Sequence, residues 1–104
     1  MSPIEGEFIV PKRRYSCFFG TDLEILLRGL SIKSLVIVGA LTDVCVHYTA
    51  VDAHQWNYHM LVVRECCFGS SIPAHESALN AIEYLQTGAV LSINELFKGL
   101  EDNN

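Results

Sequence analysis

Residues 34–40, SLVIVGA, constrain the fold more than any other stretch. The run is aliphatic and β-branched, with no polar residue between Leu35 and Ala40. A strand with one face in water alternates apolar and polar side chains. One without alternation reads as buried on both faces, as in a parallel sheet enclosed by helices. HMLVVRE at 59–65 is a second segment of this kind. Helical signals stand between and around them. TDLEILLRGL (21–30) puts Leu23, Leu26, Leu27 and Leu30 on one face, and Thr21 and Glu24 have the spacing of a capping box. From Asp43 to about Trp56, Val44, Tyr48 and Val51 recur at helical spacing. Ser70, Ser71 and Pro73 announce a further helix, whose stripe is Ala78, Leu79, Ile82 and Leu85 and which Gly88 ends. EFIV (7–10), closed by Pro11, and AVLSINEL (89–96) read as the first and last strands, with EDNN a frayed end.

The order predicted is β-α-β-α-β-α-β, an α/β chain. Crossovers of this length require a Rossmann-like parallel sheet with right-handed connections and helices on both faces. The 104 residues hold no repeat or linker and read as a single domain spanning 1–104. Four strands this apolar need cover on both faces and neighbours at both edges. The expectation is therefore the C-terminal part of a larger doubly wound domain, completed by residues upstream of Met1 or by another chain.

Charge narrows the partners. Seven Lys and Arg against twelve Asp and Glu give a net charge of −5, and only KRR at 12–14 is locally basic. That argues against nucleic acid and against anionic membranes. No apolar run approaches the ~18 residues that span a bilayer, and MSPIEGEF lacks a signal-peptide core, so the cytoplasm is the expected address. Cysteines at 17, 45, 66 and 67 form no CxxC, and His47, His54, His59 and His75 share no ligand spacing with them. Reduced thiols are expected, without a disulfide framework or a structural zinc site.

Ligands of open parallel sheets bind beyond the carboxyl ends of the strands. Cys45 belongs there: Gly39 ends the strand, Thr42 or Asp43 can cap the next helix, and Cys45 falls in its first turn. Free amides and the positive helix end favour a thiolate over a thiol at such a place. They could also bind an oxyanion forming on a substrate carbonyl. The bland reading, a structural cysteine on an apolar helix face, stays open, and Asp43 two residues away opposes a second negative charge. Lys12 follows EFIVP and points to the same rim. It is either the compensating cation or a solvated lysine in a basic run.

Several ordered pieces resemble one family: PKRRYSCFFGTDL, LVIVGALTDVCV, TAVDA and YHMLVV. From about residue 5 to 96 the chain is similar to the isochorismatase-like cysteine hydrolase superfamily. That group includes nicotinamidases, N-carbamoylsarcosine amidases, ureidoacrylate amidohydrolases and isochorismatases. The resemblance implies a Cys-Lys-Asp triad in which Cys45 attacks a carbonyl-type carbon and Lys12 assists the charged states. The amides of Leu41 and Cys45 would form the oxyanion hole, and the Ala40–Leu41 peptide would be cis. The family's aspartate stands in a motif like D-x-Q-x-x-F on an N-terminal strand, and no such motif occurs in these residues. The metal site of some nicotinamidases draws on the same segment, so no metal is expected, nor any other cofactor. Acid–base help is worth roughly 10²–10⁴-fold, so turnover by this chain alone should be weak or nil.

Tyr15, Phe18 and Phe19 are candidates for the substrate pocket, with a core role under the lysine loop as the alternative. Tyr48 is expected against the sheet, and His75 at the surface or as a cap. Cys66 and Cys67 are assigned no chemistry. The expected activity is hydrolysis of a C–N amide or ureido bond in a small molecule by a homo-oligomer. Vinyl-ether hydrolysis and a catalytically incomplete interaction module are the rivals.

Overall fold

A computed structural model describes residues 5–102. The chain runs through α1 (Leu23–Gly29), β1 (Ser34–Ala40), a π-helical turn (Thr42–Val46) and α2 (His47–Gln55). It continues through β2 (His59–Phe68), α3 (Ile72–Leu85), β3 (Val90–Leu91) and α4 (Ile93–Asp102). The three strands are parallel in the order β1-β2-β3. The α/β class and the parallel sheet are as the strand runs require, while both ends of the predicted order change.

Two apolar clusters hold the elements together. Val46 and Ala50 meet Met60, Val62 and Cys67 of β2, Leu79 and Ile82 of α3, and Ala89. Phe18, Leu27, Ala53 and Tyr58 form the other, with Leu23, Ile32 and Leu35 packed on it. Met60, Val62, Leu79 and Ile82 are almost wholly removed from water. Full burial of such side chains contributes about 1.5–3 kcal/mol each. The inward face is Val46 of the preceding turn with Thr49, Ala50 and Ala53 of α2, not the predicted Val44, Tyr48 and Val51. Both sets have helical spacing, but the alanines let the helix approach the sheet closely.

β1 departs from the reading of a strand buried twice over. Leu35 and Ile37 are packed on the clusters, whereas Val36 and Val38 are 52% and 54% exposed. The β1–β2 ladder is regular from Ser34↔His59 to Ile37↔Val62, then resumes at Gly39↔Cys67 after extra residues in β2. Gly39 has φ +131, a conformation L side chains rarely adopt.

EFIV forms no ladder, and Phe8 and Ile9 are exposed. Extended backbone becomes a strand only by ladder pairing. At the other end, strand pairing stops at Leu91 and AVLSINEL turns helical. The Ser92 hydroxyl accepts from the Glu95 amide at 3.1 Å, and the Glu95 carboxylate accepts from the Ser92 amide at 2.9 Å. Glu65 accepts the Ile93 amide at 3.1 Å. The reciprocal cap therefore sits at Ser92–Glu95 and not at Thr21–Glu24. Thr21 takes the Leu23 amide, and Glu24 binds Arg28 at 2.6 Å and the Tyr58 hydroxyl at 2.7 Å. Ser71 caps α3 as predicted, accepting from Ala74.

Candidate active site

The site is built where β1 hands the chain to α2. The Ala40–Leu41 peptide is cis. The Leu41 carbonyl then accepts both the Val44 and the Val46 amide at 3.1 Å, closing a turn wider than an α-helix. Leu41 is the cap residue of this turn and Cys45 lies within it. Amides at the opening of a helical turn have no acceptor one turn earlier in the helix.

Lys12 reaches this turn from the loop before α1. Its Nζ donates to the carbonyls of Arg14 at 3.0 Å and Tyr15 at 3.4 Å, and stands 3.6 Å from Cys45 Sγ. An ammonium has three donors. Two fasten it to its own loop and the third faces the sulfur. The loop is itself anchored to α2: the Cys17 amide donates to Thr49 Oγ1 at 3.0 Å. Thr49 is buried one helical turn beyond Cys45. One helix therefore carries the thiol and positions the segment that brings its cation. Sequence reasoning missed Thr49, although a hydroxyl on the buried face of α2 was a signal that something polar had to meet it.

The thiol opens to a cleft of about 530 Å³ lined by Lys12, Arg13, Arg14, Tyr15 and Cys45. Arg14 and Tyr15 also border an apolar pocket of about 360 Å³ with Phe19, Tyr48 and Val51. Tyr15 and Phe19 thus line a pocket beside the cleft. Phe18 does not: it is 8% exposed and stacks on Tyr58 at 6.0 Å inside the second cluster. The loop turns Phe18 into the core and leaves Phe19 on the pocket. Tyr48 is also displaced from the expected position, exposed and stacked on Tyr15 at 5.8 Å.

Thr42 and Asp43 do not cap the helix. Asp43 reaches the β2–α3 connection instead, and Thr42 the first turn of α3. Thr42 Oγ1 lies 2.8 Å from His75 Nδ1. The Asp43 carboxylate accepts from the Ser70 amide at 2.8 Å and from the Ser70 hydroxyl. The hydroxyl and amide of Ser70 hold the Asp43 carboxyl below its usual range. His75 is thereby half-buried beneath the turn rather than a surface residue. Gly69 lets the connection pass it, since a Cβ there would stand 2.7 Å from His75 Cβ.

All four cysteines are free thiols. Cys67 is sealed in the core at 4% exposure, and burial pushes its thiol up. Among the described residues no group of three or more His, Cys, Asp or Glu could hold a metal ion. No helix among them is long and apolar enough to cross a membrane.

A family model described as "Isochorismatase domain" matches residues 1–95. Ureidoacrylate amidohydrolase RutB of Methylorubrum extorquens is 32% identical over 98% of this chain and 37% of its own length. An isochorismatase-like hydrolase from Alkaliphilus metalliredigens superposes with a TM-score of 0.90 at 31% identity, over 96% of this chain and 55% of that one. Nicotinamidase PncA from Bacillus subtilis does so with a TM-score of 0.75 at 36% identity, over 80% of this chain and 45% of that one. The chain therefore spans about a third to a half of the length of these relatives.

Proposed function

The chain belongs to the isochorismatase family, and we propose that it is the nucleophile-bearing part of a hydrolase that cleaves a C–N amide or ureido bond of a small molecule. The observation that carries this reading is the 3.6 Å approach of Lys12 Nζ to Cys45 Sγ at the floor of an open cleft. The Cys45 thiolate attacks the carbonyl carbon, and the amides of Leu41 and Cys45 donate hydrogen bonds to the oxyanion that forms. Collapse expels the nitrogen, protonated, and leaves a thioester that water hydrolyses to the acid and free thiol. Lys12 stabilises the anionic states by Coulomb attraction. The proton shuttled from thiol to leaving nitrogen needs a carboxylate, which the resemblance assigns to a D-x-Q-x-x-F motif outside these residues. Turnover by the chain alone is accordingly low or absent. The names of the relatives, amidohydrolase and nicotinamidase among them, support amide chemistry. The reduced thiols fit a cytoplasmic enzyme, and the outward Val36 and Val38 fit a homo-oligomer.

The test is to trap the thioester. Incubation with small primary amides and ureido acids and with p-nitrophenyl esters of the same acids, whose leaving group departs without a proton, followed by acid quench and peptide mass spectrometry, should find the acyl adduct on Cys45 from the esters, with none in Cys45→Ala. An adduct on Cys17, Cys66 or Cys67, or ammonia release that survives Cys45→Ala, overturns the reading.

A further inference from the structure

The cation and the sulfur of the site are held by different parts of the fold. Lys12 belongs to a loop that Thr49 of α2 fastens through the Cys17 amide at 3.0 Å. Cys45 belongs to the π-helical turn Thr42–Val46, whose opening residue is fastened from α3. Thr42 is fully buried, and its Oγ1 lies 2.8 Å from His75 Nδ1. The 3.6 Å between Nζ and Sγ therefore depends on an anchor at each side. The turn closes widely, from the Val46 amide to the Leu41 carbonyl, and turns of this kind are rare and often mark functional sites. His75 is itself well seated. Its amide donates to the Ser71 carbonyl at 2.9 Å, and Gly69 crosses its Cβ too closely for any side chain there. Behind the ring is a cavity of about 310 Å³ bordered by Cys67, Phe68 and Ile72. The carboxylates in electrostatic reach of His75 are Asp43 and Glu76, engaged by Ser70 and Arg64 respectively. The Thr42 contact stands whatever the charge on the ring, because a hydroxyl donates to a bare Nδ1 and accepts from a protonated one.

We propose that His75 is a positioning residue for the nucleophile: acting through Thr42, it holds the Cys45 turn so that the sulfur stays beside the Lys12 ammonium. The inference rests on the reading of Cys45 as nucleophile and adds what keeps that nucleophile in register with its cation. Coulomb support of a thiolate weakens as the ammonium recedes. A turn released from α3 thus loses part of the help of Lys12 although the lysine is intact. Thr42 and His75 act as one unit, so removing either partner has the effect of removing both.

Iodoacetamide labelling near neutral pH, read by mass spectrometry, tests this without turnover. Thr42→Val keeps the buried volume and deletes the hydroxyl, and His75→Leu deletes the ring nitrogen. Each should slow Cys45 about fivefold, and the two together no more than either alone. Lys12→Ala, worth about tenfold in the parent, should cost at most about twofold in the Thr42→Val background. His75→Asn, whose amide can stand where Nδ1 stood, should recover most of the parent rate. Cys67 borders the cavity behind the ring and reports general loosening, so its labelling should stay slow in Thr42→Val. Should His75→Leu fail to fold, Thr42→Val and His75→Asn decide alone. An unchanged Cys45 rate in Thr42→Val overturns the positioning role while Cys45 remains the nucleophile. So does a Lys12→Ala effect that stays tenfold there, a Cys67 rate that rises, or a His75→Asn variant as slow as Thr42→Val. Failure of Cys45 in the parent to react faster than Cys17 or Cys66 overturns the nucleophile reading, and this inference with it.

Discussion

At the carboxyl ends of two adjoining parallel strands the chain places two cysteines. Cys45 sits in the turn that follows β1, and Cys67 lies inside β2 opposite Gly39. Cys45 is half-buried, opens to a cleft and has an ammonium 3.6 Å away. Cys67 packs with Met60, Val62 and Leu79, and burial pushes its thiol up. Neighbouring strands thus put the same side chain in opposite surroundings. What differs is the surroundings: backbone donors and a cation for one sulfur, hydrocarbon for the other. Which side of a strand end the chain leaves open decides which sulfur faces a cleft.

Three measurements break or sharpen this contrast. The largest effect is in native labelling near neutral pH. Iodoacetamide should modify Cys45 at least about a hundredfold faster than Cys67, because Cys67 is reached only through transient opening of the core. A mass-spectrometric time course showing similar rates breaks the contrast. Next, Lys12→Ala should slow Cys45 labelling about tenfold, the order of one cation close to sulfur, and leave Cys67 unchanged. An equal effect on both cysteines would mean the lysine acts on stability and not on the thiol. The smallest effect concerns the link that ties the Cys45 turn to the β2–α3 connection. Asp43 is held below its ordinary value of 3.8 by Ser70, so its stabilisation is whole above that pH and is lost as pH falls below it. Ser70→Ala should lower the urea midpoint slightly at pH 7, and the gap to the parent should close under strong acid. A gap that stays constant through that range would show that the Asp43 link is not its source.

Much of this arrangement was legible in the residues. β1 and β2 follow from their aliphatic runs and α3 from Ser71 and Pro73, whereas the meeting of Lys12 with Cys45 came from the family resemblance, since EFIV forms no strand for Lys12 to follow. What escaped depended on partners distant in sequence. Thr21–Glu24 and Ser92–Glu95 are the same local pattern, yet only the latter caps a helix. Tyr58 and Arg28 draw Glu24 away, and neither can be inferred from residues 21–24 alone. Phe18 and Phe19 are adjacent in sequence and divided between core and pocket by a bend. The bonds of Thr49 and His75 are likewise tertiary, made to Cys17 and Thr42.

The ladder register has a kinetic corollary. Ser34 pairs with His59 and Val62 with Val90, so no two strands meet through a hairpin, and every pairing spans a helical crossover. Loop closure must be met before any ladder bond forms, which favours helices and collapse first and sheet zipping late. Until that late step, SLVIVGA and HMLVVRE are exposed to any other apolar segment, and refolding yield should fall as protein concentration rises.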